Sequence, residues 1–175
     1  MLTEAVETGC DFRALVLQHQ STVFSIALHF LRDRATAEEV AQEVFFSLHR
    51  NLHQIKTPSH AAAWLRKVAV QRSIDEGRRR SRRPQVALAE VAEPAAGVRP
   101  GDPLLSELLR KLVATLPEAP RMVMVLRYQE DLEPSEIAAA LEMPVATVKS
   151  HLQRSLALLR GKLARRGVGE SEWTG

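Results

Sequence analysis

Apolar residues recur along this chain at spacings of three and four, the period of an amphipathic α-helix, without the sustained alternation of a half-buried strand. From Phe12 onward, Leu15, Val16, His19, Val23, Ile26, Ala27 and Phe30 form one stripe of a long first helix ending near Arg32. Thr36-Ala-Glu-Glu39 reads as a capping box, the threonine hydroxyl accepting a free backbone N–H while Glu39 reaches back. A second helix therefore starts there, with Val40, Ala41, Val44, Phe45 and Leu48 inward. Thr57-Pro58 opens a third, because proline at the first helical position leaves no required hydrogen bond missing. That helix carries Trp64, Leu65, Val68 and Ala69 inward and runs into a cluster of arginines.

From about Ser81 to Gly101 the period is lost, and Pro84, Pro94 and Pro100 stand among alanines and valines, the composition of a flexible linker. Asp102-Pro103 repeats the cap-and-proline signal, and Leu104, Leu105, Leu108, Leu109, Leu112 and Leu116 follow until Pro117. After Pro120, Met122, Val125 and Leu126 mark another helix. Glu136-Ile-Ala-Ala-Ala-Leu141 and Val145 to Leu163 are two more, parted by Glu142-Met143-Pro144, with Ala138 small enough to let them cross. This is the pattern of a helix-turn-helix, which an ordinary αα-hairpin shares. The expected fold is all-α, two small helical domains joined by a flexible linker. Its segments are an N-terminal tail over 1–11, a first domain over 12–83, the linker over 84–101, a second domain over 102–166 and a C-terminal tail over 167–175.

Composition adds three constraints. With 175 residues, 45% hydrophobic and 5% aromatic, the chain can build two small helical cores and is poorly suited to a sheet. The net charge is only +3 but the pI is about 9.4, and the positive charge clusters in Arg78, Arg79, Arg80, Arg82 and Arg83 and again in Arg154, Arg160, Lys162, Arg165 and Arg166. Such clusters are the footprint of a nucleic-acid partner, although a merely solvated face looks the same. Cys10 is the only cysteine, which excludes an intrachain disulfide and suits a reducing cytoplasm. No stretch reads as a secretion signal or approaches the roughly 20 apolar residues of a membrane span. The six histidines are scattered, and His49 and His53, four apart, have no acidic or cysteine ligand beside them. With no glycine-rich phosphate loop and no catalytic spacing of Ser, His and Asp, neither a catalytic, a metal nor a cofactor site is expected.

The second helix of a helix-turn-helix lies in the major groove, so its outward residues should be polar or cationic. An inward stripe of Val148, Leu152, Leu156 and Leu159 leaves Thr147, Lys149, Ser150, Gln153 and Arg154 outward and His151 at the margin. Lys149 and Arg154 suit guanine edges or phosphates, Gln153 suits adenine, and Thr147 and Ser150 suit phosphate oxygens. No acidic residue interrupts Val145 to Gly169.

The stretch Met143-Pro-Val-Ala-Thr-Val-Lys-Ser-His-Leu-Gln-Arg154 resembles the minus-35-reading segment of domain 4 in extracytoplasmic-function (group 4) sigma factors of the sigma-70 family, and Leu116-Pro117 with Glu136–Leu141 fits the same domain. Independently, Ala37-Glu-Glu-Val-Ala-Gln-Glu-Val-Phe45 resembles the polymerase-binding helix of sigma domain 2, and Trp64-Leu65, Ile74-Asp75 and Arg78 to Arg80 resemble its end. The resemblance implies a cytoplasmic, non-catalytic subunit that brings core RNA polymerase, through its clamp helices and flap, to promoter DNA, under the control of an anti-sigma factor. It implies polymerase docking at Glu38, Glu39, Gln42, Glu43 and Phe46, a polar acidic face suited to a basic partner. It implies capture of a flipped minus-10 base by the His53 to His60 loop, and contacts to the opened strand from Arg66, Lys67, Gln71, Arg78 and Arg79.

The chain departs from the family pattern at Gln71, where asparagine is usual, at Glu142, where glycine is usual, and at His151, where arginine is usual. If the turn requires positive φ, Glu142 is strained by about 1 kcal/mol. An alternative of a different class is a helix-turn-helix regulator that binds an operator without being a polymerase subunit; the domain 2 resemblance argues against it.

Overall fold

The computed structural model describes residues 11–82 and 103–165, with side chains from 106 onward in the second segment. The expected tails with Cys10, the 84–101 linker, the Asp102 cap, Arg83 and Arg166 lie outside the described residues. The chain divides into two compact units, Met1–Gln85 and Val86–Gly175, and among the described residues all regular structure is helical.

In the first unit α1 (Phe12–Leu31), α2 (Arg34–Asn51) and α3 (Pro58–Ser81) pack pairwise. Asp11 caps α1 by accepting from Arg13 and Ala14 N–H, and α1 closes at Arg32 in the left-handed conformation, φ 58°. The cap of α2 is Asp33, not Thr36: Asp33 Oδ1 accepts the Thr36 backbone N–H at 2.6 Å, which puts the threonine in the third helical position. Thr57 caps α3 as expected, accepting His60 N–H at 3.1 Å with Pro58 first in the helix.

Leu15, Val23, Ile26, Ala27 and Phe30 of α1 meet Ala37, Val40, Val44 and Leu48 of α2 and Ala61, Leu65, Ala69 and Val70 of α3 in the buried core. Trp64 and Val68, expected inward, are only half-buried. Ala61, Leu65, Ala69, Val70 and Ser73 form the inner face of α3, and the bulky indole stands to one side of it. By length and composition α1 could cross a membrane, with a mean hydropathy of 1.2 over an 18-residue window. That corrects the reading that no segment comes near a span, but its Leu15–Phe30 stripe is core packing, which passes the same test.

His19, in the same stripe, is half-buried with its Nε2 enclosed and unbonded, and burial followed by the nearby Arg66 charge lowers its pKa from the ordinary 6.5. The unfolded chain then binds more protons, so this contribution to stability is complete above pH 6.5 and is lost as pH falls through it. The urea midpoint, followed by helical ellipticity, is expected to drop between about pH 7.5 and 5.5 and to drop less in His19→Gln.

In the second unit α4 (Pro103–Ala114), α5 (Glu118–Tyr128), α6 (Pro134–Leu141) and α7 (Val145–Ala164) enclose a core of Leu112, Leu116, Met124, Leu159 and Leu163, against which Leu108, Leu109, Leu152 and Leu156 pack in part. α5 begins before Pro120 rather than after it. Proline is tolerated in the first turn, where backbone N–H groups have no helical partner. Its run Met122–Leu126 is buried on every side, because α4, α6 and α7 all contact it. α6 starts in a capping box between Glu133 and Glu136 and ends at Glu142, φ 52° and ψ 43°, where Met143 N–H closes on Ala138 C=O at 3.1 Å. The turn thus demands the left-handed conformation, and Glu142 bears the strain that glycine would avoid. Glu142→Gly is expected to stabilise this unit by about 0.5–1 kcal/mol in urea unfolding, and Glu142→Ala to give no such gain.

Candidate functional site

α6, the Glu142–Pro144 turn and α7 form the helix-turn-helix, with Ala138 7% exposed on α6, the helix packed against α7. Val148, Ser155, Leu159 and Leu163 are the buried face of α7, and Leu152 and Leu156 flank it half-buried. Opposite them Lys149, Gln153 and Arg154 are exposed, while Thr147, Ser150 and His151 are half-buried around them. All six expected groove-reading residues therefore lie on the first three turns of one helix outside its buried face, with His151 at the margin of the core stripe. The described part of α7 and the residue after it contain no carboxylate, so nothing on the helix opposes an approaching phosphate. At the far end, Lys162 Nζ donates to Thr115 Oγ1 at 2.7 Å, which ties α7 to the turn after α4 and uses one cation of the C-terminal cluster internally.

The second expected surface is on α2. Glu38, Glu39, Gln42, Glu43 and Phe46 are all exposed on the side away from Val40, Val44 and Leu48, and Phe46 is 64% exposed. An apolar ring standing free in an acidic face is costly to leave in water and is typical of a docking anchor. Two carboxylates already have internal counter-ions: Arg34 Nε meets Glu38 at 3.0 Å and Arg72 meets Glu43 at 3.7 Å. Glu43, Phe46, Ser47, Arg50 and Arg72 line an open depression of about 250 Å³ beside this face. Sequence reading omitted Arg50 and Arg72, and the like charge of the arginines gave no hint that Arg72 turns toward α2.

On α3 the expected strand-binding residues separate. At 100° per residue, Lys67, Gln71 and Arg78 share one face, whereas Arg66 and Arg79 fall about a third of a turn to either side. Gln71, Arg78 and Arg79 are exposed, and Arg66 and Lys67 are half-buried. Arg66 lies near enough to His19 of α1 to disfavour its protonation. Arg79 Nε meets Glu76 at 2.7 Å, and this hydrogen bond and the Glu76 charge, with smaller contributions from Glu43 and Glu39, raise its pKa. Asp75, Arg78, Arg79 and Arg82 line a second open depression, of about 440 Å³. Arg82 is an addition to the expected set that its place in the arginine run could have suggested. Ahead of the helix His53, Gln54, Lys56 and Thr57 are exposed around one buried anchor, Ile55, and Ser59 and His60, expected in the loop, are exposed in the first turn of α3 itself.

A helix-turn-helix with a cationic second helix and a separate three-helix unit with an acidic face define a two-domain DNA-binding protein. Family models agree with that division: sigma-70 region 2 matches residues 15–83 and sigma-70 region 4 matches residues 106–159. The ECF RNA polymerase sigma factor SigW of Bacillus subtilis is 30% identical over 167 residues, which cover 87% of this chain and 88% of SigW. A probable RNA polymerase sigma factor of Xanthomonas campestris, RfaY, is 29% identical over 90% of this chain, which spans only 42% of that longer protein. Among solved structures, the sigma factor RpoE of Bartonella quintana, crystallised with the anti-sigma factor NepR, shares the fold with a TM-score of 0.72 at 20% identity, over 88% of this chain and 97% of that one. The chain belongs to the sigma-70 family of RNA polymerase sigma factors, in its ECF branch.

Proposed function

We propose that this chain binds core RNA polymerase through the Glu38, Glu39, Gln42, Glu43 and Phe46 face of α2, reads the minus-35 element with Thr147 to Arg154 of α7, and holds the opened minus-10 strand along α3. The observation that carries the reading is the acid-free outward face of α7, set at the second position of a helix-turn-helix. Lys149 and Arg154 supply charge-assisted donors to guanine edges or phosphates, Gln153 a donor and acceptor pair for adenine, and the half-buried hydroxyls backbone contacts. Opening follows without catalysis, because a protein that binds the melted form better than the duplex shifts the equilibrium by that difference. Lys67, Gln71 and Arg78, with the His53–His60 loop, supply the preference for the open form.

The protein acts in the cytoplasm, where polymerase and promoter are, and an anti-sigma factor covers the α2 face when transcription is off. A helix-turn-helix regulator working apart from polymerase leaves the region 2 match unexplained. Mobility shift on a promoter duplex separates the two: retention is expected with core polymerase present and not with the chain alone. Equal retention without polymerase contradicts the proposal.

A further inference from the structure

The arginines at the end of α3 do not form one patch. Arg79 closes on Glu76 and, with Asp75, Arg78 and Arg82, lines an open depression. Arg80 turns the other way, toward the start of α2. Its Nη2 donates to Asp33 Oδ2 and its Nη1 to Thr36 Oγ1, each at 3.2 Å. Asp33 meanwhile uses Oδ1 to cap α2, and the residue is 8% exposed. One carboxylate thus caps one helix and holds the last turn of another. A turn earlier, Gly77 admits the Phe30 ring, whose Cε1 would stand 3.1 Å from any Cβ there. The end of α3 is therefore held by α1 and α2 together.

We propose that Arg80 is a positioning residue for strand binding: through Asp33 and Thr36 it fixes the last turn of α3, so that Arg78 and Arg82 meet the opened strand while Arg80 does not touch it. This rests on the reading of α3 as the strand-binding helix. A C-terminal helical turn has unsatisfied carbonyls and frays unless something holds it. The planar guanidinium fork spans the carboxylate and the hydroxyl at once, which a lysine ammonium cannot do.

The test is the affinity of reconstituted holoenzyme for a promoter with a preformed minus-10 bubble, measured across salt concentrations. Arg78→Ala is expected to lower the slope of log affinity against log salt by about 0.7, the single-strand value for one phosphate contact. Arg80→Ala and Asp33→Asn are each expected to weaken binding about tenfold with the slope unchanged, and the double variant to be no weaker than either. Asparagine caps a helix as well as aspartate, so Asp33→Asn removes the ion pair and keeps α2 intact. Core-polymerase affinity should stay at wild type in all of them, which a general loss of the domain's fold would not allow. Arg80→Lys, retaining the charge but not the fork, should fall between wild type and Arg80→Ala and replaces it if helical ellipticity is lost. A slope change in Arg80→Ala, wild-type binding by Asp33→Asn, or additive losses in the double variant overturn the proposal. Failure of wild-type holoenzyme to bind the bubble overturns the strand-binding reading itself.

Discussion

Replacing Lys149 and Arg154 together with alanine is expected to cut transcription from the cognate minus-35 promoter by roughly a hundredfold or more, since each base-edge or phosphate contact of this kind contributes about 1–3 kcal/mol. Both side chains are exposed on α7 and outside its core stripe, so the unit keeps its fold and the loss is one of recognition. Core-polymerase binding should be unchanged, because the α2 face belongs to the other unit. Run-off transcription gives the first quantity and co-purification with core enzyme the second. Loss of polymerase binding in this variant would refute the division of labour between the units.

The second large effect is expected from Glu39→Lys with Glu43→Lys, which should weaken core-polymerase binding by about ten- to a hundredfold. Each replacement turns an attraction into a like-charge juxtaposition on a face read as docking a basic partner, at a cost of up to several kcal/mol. Stability should change little, because both positions are exposed and the 3.7 Å Glu43–Arg72 pair is of the weak surface kind. Affinity measured by fluorescence anisotropy at two salt concentrations checks both the loss and its electrostatic origin. Unchanged affinity would remove α2 as the docking helix.

Much of the fold is legible in the sequence where one residue decides a local event. Pro58 and its Thr57 cap locate the start of α3, and the 3.6-residue stripe on α7 separates its core from its outward face. The failures are those where tertiary structure chooses between local options. Asp33 and Thr36 can each cap α2 by local geometry, and Asp33 is also held by Arg80, 47 residues away. Pro120 looks like a helix start and lies in the third position of α5. Met122–Leu126 shows no clean stripe because its helix is covered from several directions.

The candidate site divides in the same way. On α2 the expected residues share an exposed face because helical period alone sets them there, whereas on α7 Lys149, Gln153 and Arg154 are exposed and Thr147, Ser150 and His151 are half-buried. On α3 a run of arginines fixes charge but not direction: Arg72 turns to Glu43 and Arg80 to Asp33, while Arg79, closed on Glu76, lines the open depression with Arg78 and Arg82. Glu142 was legible as a question, since the departure from glycine matters only if φ is positive, and the structure answers it with φ 52°.

The central claim, that this chain is the promoter-recognising subunit of RNA polymerase, is tested most directly by run-off transcription with purified core enzyme on genomic fragments of its own organism. Discrete transcripts that appear only when the chain is added, and vanish with Lys149→Ala and Arg154→Ala, are the predicted result. Core enzyme giving the same transcripts with and without the chain would contradict it.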